Sequence, residues 1–183
     1  VVGALPPLAL FLHGALTGSD ILVISRLKSL GYDVADVLDT ASLTSDATGK
    51  DLIVISSTVG SGNIGTKFTA VPVPILNWES ALYDELGVEA SNVNGLVITG
   101  QTGIDILDAT HPLAAGLTKG VKTVLSTAGD MTSLTTIVPS AKIVAQSADG
   151  SALPLLFGIE KGAALNKARI ATAGMNTSAY PPP

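Results

Sequence analysis

The sequence predicts an α/β protein with a doubly wound, mostly parallel sheet and a β-rich carboxyl-terminal half. Two runs that are apolar almost throughout, Leu8–His13 and Asp51–Ser56, are typical of central parallel strands buried on both faces. Between them lies an apolar repeat with helical spacing. After Thr99, helix-length segments give way to short strand-like runs separated by turns.

The amino-terminal half alternates between strand and helix signals. Apolar residues recur at helical spacing from Ile21 to Leu30, after a natural cap at Ser19 or Asp20, and Gly31 is a typical helix end. The other expected elements, in chain order, are strands at Leu8–His13, Tyr32–Leu38, Asp51–Ser56, Val71–Asn77 and Gly95–Thr99, a turn or short helix at Ser42–Gly49, and a helix at Ser80–Leu86.

The carboxyl-terminal half predicts hairpins that extend the parallel sheet. Asp149-Gly150 is its clearest turn signal, because both residue types tolerate a positive φ. The helix-sized interruption is His111–Leu117. The expected strands are Ile104–Leu107, Val121–Ser126, Lys142–Ser147, Leu153–Ile159 and Arg169–Met175.

Composition excludes several classes of function. A net charge of −5 and a pI near 4.8 argue against nucleic acid, which requires clustered Lys and Arg. The chain has no Cys, so it has no disulfide, thiolate nucleophile or zinc-thiolate site. No run is long enough, without Gly, Pro or charge, to span a bilayer. We expect no cofactor and no metal site.

The surface composition bears on partners and location. Charged residues make up 14% of the chain, against about 25% in an average soluble domain. Such a surface favours packing against copies of the chain or against neighbouring domains, although an ordinary β-rich secreted protein has the same composition. We expect an extracellular or periplasmic location. The 183 residues are long enough for a single domain.

Val1–Leu16 lacks Met, a basic region and a cleavage site, so we interpret it as a mature or trimmed start leading into the first strand. Tyr180–Pro183 is expected to be extended.

The order of elements resembles the class I glutamine amidotransferase-like superfamily, which has a flavodoxin-like sheet. Within it, the chain is most similar to the ThuA-like (trehalose-utilisation) branch and to related bacterial extracellular domains. The residues that carry the resemblance are Asp51–Ser57, Val71–Gly87 and His111–Leu117. Members of this superfamily usually close the sheet with a further carboxyl-terminal helix, so the resemblance implies that the chain is a truncated piece of a longer protein.

The resemblance also locates a candidate catalytic residue. In amidotransferases a Cys lies at a sharp turn after the strand that corresponds to Pro74–Trp78, and Glu79 falls at that position here. ThuA-like members tend to have a His there. Glutamine hydrolysis by the family mechanism is excluded, because the chain lacks the Cys. Glu79 could act as a general base or bind a cation; alternatively, it caps the helix that follows.

The glycine-rich segment Ser57–Gly65 is the candidate binding loop beside Glu79. Its hydroxyl and amide groups could hold an anion or sugar hydroxyls, although a structural loop with glycines at positive φ fits it equally well. It lacks the ending of a P-loop, and its G-x-G-x-x-G match follows the third strand rather than the first, which disfavours dinucleotide binding. The candidate binding residues are Ser57, Thr58, Ser61, Asn63, Asn77, Trp78 and His13.

Three further residues have a functional and a structural interpretation. Trp78 could stack on a sugar or fill the core edge. His13 ends the first strand, near the expected cleft, and could pair with Glu79. His111 is expected to be structural. The acidic residues Asp105, Asp108 and Asp130 lack the spacing of a calcium loop.

These observations leave two hypotheses of different classes. The first is a non-catalytic extracytoplasmic module that binds a ligand or assembles with itself as a homo-oligomer. The second is a ThuA-like enzyme that acts on a carbohydrate, with Glu79 and the Ser57–Asn63 loop at its centre. The second requires a concave pocket at that position.

Overall fold

The computed structural model describes residues 4–89, 95–161 and 170–173, the last four as backbone only. Their helices are α1 (Gly18–Ser29) and α2 (Ser61–Ile64), with single 3₁₀ turns at Asp39–Ala41, Thr44–Ala47, Ser80–Leu82 and Pro112–Ala114. The strands are β1 (Leu8–His13), β2 (Asp33–Leu38), β3 (Leu52–Ile55), β4 (Ile75–Asn77), β5 (Leu96–Gln101), β6 (Gly103–Ile106), β7 (Gly120–Thr123), β8 (Gly129–Ser133), β9 (Ala141–Ser147), β10 (Pro154–Ile159) and β11 (Ile170–Ala173).

Nine of these strands form one mixed sheet in the order β2-β1-β3-β4-β11-β10-β9-β6-β7. The first five of that order pair in parallel, and β10, β9, β6 and β7 continue the sheet in antiparallel fashion. The predicted α/β class, with a parallel sheet extended by antiparallel strands, is confirmed. The last strand, expected among the hairpins, instead joins the parallel part beside β4. Among the described residues, no helix is long and apolar enough to cross a membrane.

Side chains alternate between the two faces of the parallel strands. Leu10, Ile53 and Ile75 face a large core that is closed by the segment from Val59 to Val73 and by Tyr83. On the other face, Phe11 and Val54 pack against Leu27 of α1. A second core lies under the antiparallel half, between Ile104 and Ile106 of β6, Val144 of β9, and Ile98 and Met131 of β5 and β8.

Some predicted bounds of strands and turns agree with the structure. The strand expected at Leu8–His13 has those bounds, and Gly150 in the β9–β10 connection has a φ of +89°. Helix α1 begins earlier than predicted. Thr17 rather than Ser19 or Asp20 is its N-cap, because the Thr17 hydroxyl and the Asp20 carboxyl group each accept the other residue's backbone N–H.

Three segments differ from the prediction. The strand expected at Val71–Asn77 is shortened to Ile75–Asn77. Pro72 and Pro74 have no N–H to donate to a neighbouring strand. The side chains of Val71 and Val73 are instead buried in the main core. The helix expected at Ser80–Leu86 is a single 3₁₀ turn followed by turns up to Gly87, whose φ is +69°. The predicted fifth strand does not join the main sheet. It pairs with β8 as a separate antiparallel ribbon.

Gly14, directly after β1, is a position where no side chain fits. A Cβ added there would lie 2.0 Å from the backbone oxygen of Thr58. We expect Gly14→Ala to lower the free energy of unfolding by about 2 kcal/mol, since the loop after β3 must move to admit the methyl group. Gly18→Ala is the control, because nothing lies within 4 Å of its added Cβ. Chemical denaturation of both variants measures the difference; equal stabilities would contradict the close approach.

Candidate functional site

A pocket of 190 Å³ opens between the ends of β3 and β4 and the ribbon strand β8. Its lining residues are Ser57, Trp78, Glu79, Ser80 and Thr132. Ser57 follows β3, and Trp78 to Ser80 follow β4. The carboxyl ends of parallel strands are where open α/β sheets bind ligands. The pocket therefore has the expected location.

The backbone at Glu79 is extended rather than strained, with φ −81° and ψ 109°. Its Oε1 accepts the backbone N–H of Ala81 at 2.8 Å, so Glu79 is the N-cap of the 3₁₀ turn at Ser80–Leu82. The structural role expected for Glu79 and its exposure to the pocket are thus both present. One carboxyl group caps the turn and lines the cavity.

Asn77 fixes the backbone that carries Glu79. It is fully buried at the end of β4. Its Nδ2 donates to the Glu79 carbonyl at 2.8 Å, and its Oδ1 accepts the Glu79 N–H at 3.1 Å. Asn77 therefore lies beneath the pocket and holds the Glu79 backbone.

Burial raises the pKa of Glu79, and the hydrogen bond from Ala81 opposes part of that rise. Behind it, Tyr83 is completely buried and its hydroxyl has no hydrogen-bond partner among the described groups. Burial, together with the nearby carboxyl groups of Glu79 and Glu89, raises the pKa of Tyr83. No cationic side chain is among the described residues that line the pocket.

Trp78 packs at the edge of the core and also borders the pocket. Its side chain is partly buried and packs against the cluster formed by Phe11, Leu27 and Val54. It also contributes to the pocket lining. Because its backbone N–H donates to Ile55 at 3.0 Å, the main chain that carries the ring is fixed beside β3.

Gly60 and Asn63 of the glycine-rich segment belong to a different polar cluster, centred on Asp39. The Oδ2 of Asp39 accepts the Gly60 N–H at 2.6 Å and the Nδ2 of Asn63 at 3.1 Å. His13 is 7% exposed, and its Nε2 lies 3.6 Å from Asp36. Asn63 and His13 therefore do not line the pocket, and neither does Ser61.

Thr58 lies in a hydrogen-bonded chain beneath the loop. The Gly14 N–H donates to Thr58 Oγ1 at 3.1 Å, the Thr58 hydroxyl donates to Ser56 at 3.0 Å, and Ser56 donates to the buried Asp20 at 2.5 Å. Each oxygen in this chain is occupied by protein groups. The chain connects β1, α1 and β3 and leaves Thr58 outside the pocket lining.

The stability that Asp39 contributes to the fold depends on pH. Burial alone would raise the pKa of Asp39, but hydrogen bonds from Asn63, Gly60 and Thr40 and the proximity of His13 outweigh it and hold the pKa below the ordinary 3.8. A lowered folded-state pKa stabilises the fold above 3.8, and this contribution is lost as the pH falls below that value.

We therefore expect Asp39→Asn to be destabilised relative to the parent at pH 7, with the difference shrinking at pH 3. Asp46→Asn, at a surface turn, serves as the control for removing one carboxylate. Urea denaturation at the two pH values provides the measurement. A difference that grows on acidification would contradict the assignment.

His111 is placed as a structural residue. Its Nδ1 accepts the Leu113 N–H at 3.1 Å, which caps the 3₁₀ turn at Pro112–Ala114. Its Nε2 lies 3.5 Å from Glu160. Asp105 accepts a hydrogen bond from the Gln146 side chain, and Asp108 accepts one from the Thr110 hydroxyl. No group of three or more metal-ligating side chains lies together in the described part of the chain.

Sequence reasoning placed Ser57, Trp78 and Glu79 near one another but missed Ser80 and Thr132. Ser80 directly follows Glu79, so its position was available from the same turn. Thr132 is far away in sequence and reaches the pocket through the ribbon. Gly95 makes this approach possible: a Cβ on it would lie 2.5 Å from the Thr132 methyl and 3.0 Å from Ser80 Cβ.

Comparison with known proteins identifies the fold. No protein-family model matches the chain, and no curated protein matches it. A protein from Thermoplasma acidophilum, described as one of the subunits of GMP synthase, is 18% identical over 92% of this chain and 83% of its own, with a TM-score of 0.63. A glutamine amidotransferase from Thermotoga maritima is 14% identical over 90% of this chain and 74% of its own, with a TM-score of 0.50.

A third similar structure is the carbohydrate deacetylase Agd3. It is 11% identical over 92% of this chain but only 29% of its own, with a TM-score of 0.58. Identities this low establish the fold alone. The predicted glutamine amidotransferase-like, flavodoxin-like fold is thereby confirmed.

Proposed function

We propose that this chain is a non-catalytic, extracytoplasmic binding module on an amidotransferase-like fold, and that the pocket at Glu79 binds a neutral carbohydrate. One observation carries the proposal. A carboxyl group, three hydroxyl groups and an indole ring line the same pocket. Carboxylate and hydroxyl groups bind sugar hydroxyls, and an aromatic ring packs on the apolar face of a sugar.

The same lining favours binding without catalysis. A glycosidase requires two carboxyl groups, and a serine nucleophile requires an adjacent base. Among the described residues that line the pocket, Glu79 is the one with a titratable carboxyl or imidazole group. His13 and His111 lie elsewhere, each beside its own carboxylate. A pocket with a single such group favours binding over turnover.

The ThuA-like enzyme remains the second candidate, and one observation favours it. A carboxyl group whose pKa is raised by burial has the property of a general base poised nearer neutral pH. The similar structure of a carbohydrate deacetylase adds support at the level of fold only. In this version, Glu79 would accept a proton from a water molecule whose oxygen attacks the anomeric carbon of a bound saccharide, and the glycosidic oxygen would leave with a proton from solvent.

Self-assembly is a separate part of the proposal. Edge strands β2 and β7 end the main sheet, and Leu38 and Val121 on them are 45% and 63% exposed. Exposed strand edges can pair with another chain. We expect light scattering to give a mass above that of the 18.4 kDa monomer, rising with concentration. A constant monomer mass would contradict assembly without affecting the pocket.

Titration with saccharides tests the proposed site. ¹H–¹⁵N spectra of the protein are recorded with added glucose, trehalose, maltose and N-acetylglucosamine. We expect shifts confined to the Trp78 indole N–H and to the backbone amides of Ser57, Ser80 and Thr132. Spectra unchanged by all four sugars, or shifts located around Asp39 instead, would contradict the proposal.

A further inference from the structure

The ribbon formed by β5 and β8 extends beyond the pocket, and its two faces differ. Ile98 of β5 pairs with Met131 of β8, and both side chains are buried in the second core. Side chains alternate along a strand, so the neighbouring pair, Val97 and Thr132, lies on the opposite face. Val97 is 57% exposed there.

Thr132 belongs to both the Glu79 pocket and the β5–β8 ribbon. It lines the pocket, and it is the direct cross-strand partner of Val97. Side chains that pair in this way lie about 5 Å apart on the same face of a ribbon. The exposed Val97 side chain is therefore the next surface that a ligand meets on leaving the pocket across Thr132.

The same outer face continues with a polar group on β8. Asp130 lies two residues before Thr132 and is exposed, so it shares the face of Thr132 and Val97. Along β5 the register shifts after Ile98, so the regular pairing ends there. An apolar side chain beside a carboxyl group offers a surface for the apolar side of a sugar ring and an acceptor for its hydroxyls.

We propose that the outer face of the β5–β8 ribbon is a second subsite, and that the natural ligand is an oligosaccharide rather than a single sugar. This inference rests on the proposed carbohydrate pocket. The first sugar occupies the Glu79 pocket, and the next unit crosses Thr132 to lie on Val97 beside Asp130. Because Val97 lies outside the pocket lining, it contributes to affinity only for ligands longer than one unit.

The test compares ligand lengths. Calorimetric titration gives the Kd of glucose, maltose and maltotriose, and of N-acetylglucosamine and its β1,4-linked dimer and trimer. We expect at least tenfold tighter binding of the trisaccharide than of the monosaccharide in one series. Val97→Asp and the milder Val97→Ser are expected to remove that gain and to leave the monosaccharide Kd unchanged. Thermal unfolding confirms that both variants fold.

Val121→Ser, at a similarly exposed valine on β7, is the matched control and should retain the gain. Monosaccharide binding without a length effect, or a length effect that survives both Val97 variants, would overturn the second subsite and leave the proposed pocket intact. Failure of every sugar to bind would instead overturn the pocket and the subsite together.

Discussion

Replacing Asp20 by alanine is expected to lower the free energy of unfolding by about 2 to 4 kcal/mol. Asp20 is completely buried, although a carboxyl group is rarely found without solvent. Its Oδ1 accepts the Ser56 hydroxyl, and its Oδ2 accepts the N–H and the hydroxyl of Thr17. Removing it leaves these donors without their acceptor and removes half of the capping box of α1.

Asp46→Ala is the matched control for this variant. Asp46 Oδ2 accepts the Leu43 N–H at 2.8 Å, the same kind of contact as that between Asp20 and Thr17, but at the surface. Its loss should cost about 1 kcal/mol. Chemical denaturation at neutral pH compares the two variants. Equal costs would contradict the claim that burial and the link to Ser56 make Asp20 important.

Replacing Glu79 by glutamine is expected to weaken saccharide binding at least tenfold while leaving the fold intact. A hydrogen bond from a ligand hydroxyl to a charged acceptor is worth about 1.5 to 3 kcal/mol, more than one to a neutral amide. The glutamine Oε1 can still accept the Ala81 N–H, so the turn keeps its cap. Calorimetric titration with the tightest-binding saccharide measures the effect.

The affinity for saccharides is also expected to depend on pH. The ionised Glu79 accepts hydrogen bonds from ligand hydroxyls, so saccharide affinity is expected to fall as acidification protonates the carboxylate. Because burial raises the pKa of Glu79, the fall begins at a higher pH than for an exposed glutamate. In Glu79→Gln this dependence should disappear. Glu160→Gln, outside the pocket lining, should behave like the parent.

The sequence predicted the first four strands of the parallel half, because their signals are local. An apolar run such as Leu8–His13 indicates a doubly buried strand by itself. Glu79 could be placed for a similar reason, since it directly follows a strand and starts a turn. The capping role considered for Glu79 is present in the structure, and its side chain also lines the pocket.

The parts that the sequence did not predict depend on distant contacts. The β5–β8 ribbon joins segments about thirty residues apart, and the pairing of Val97 with Thr132 has no local signal. The polar groups of the glycine-rich segment were available in principle to a ligand. Asp39, which precedes that segment by about twenty residues, accepts from Gly60 and Asn63 instead.

The central claim is that the Glu79 pocket binds a carbohydrate without transforming it. One measurement tests both halves: the ¹H spectrum of maltotriose or the N-acetylglucosamine trimer, followed over a day with the protein present. The account predicts that the ligand signals broaden or transfer saturation in the parent, far less in Glu79→Gln, and that the ligand remains chemically unchanged. New sugar signals that appear with the parent and not with Glu79→Gln would contradict it and establish the enzyme instead.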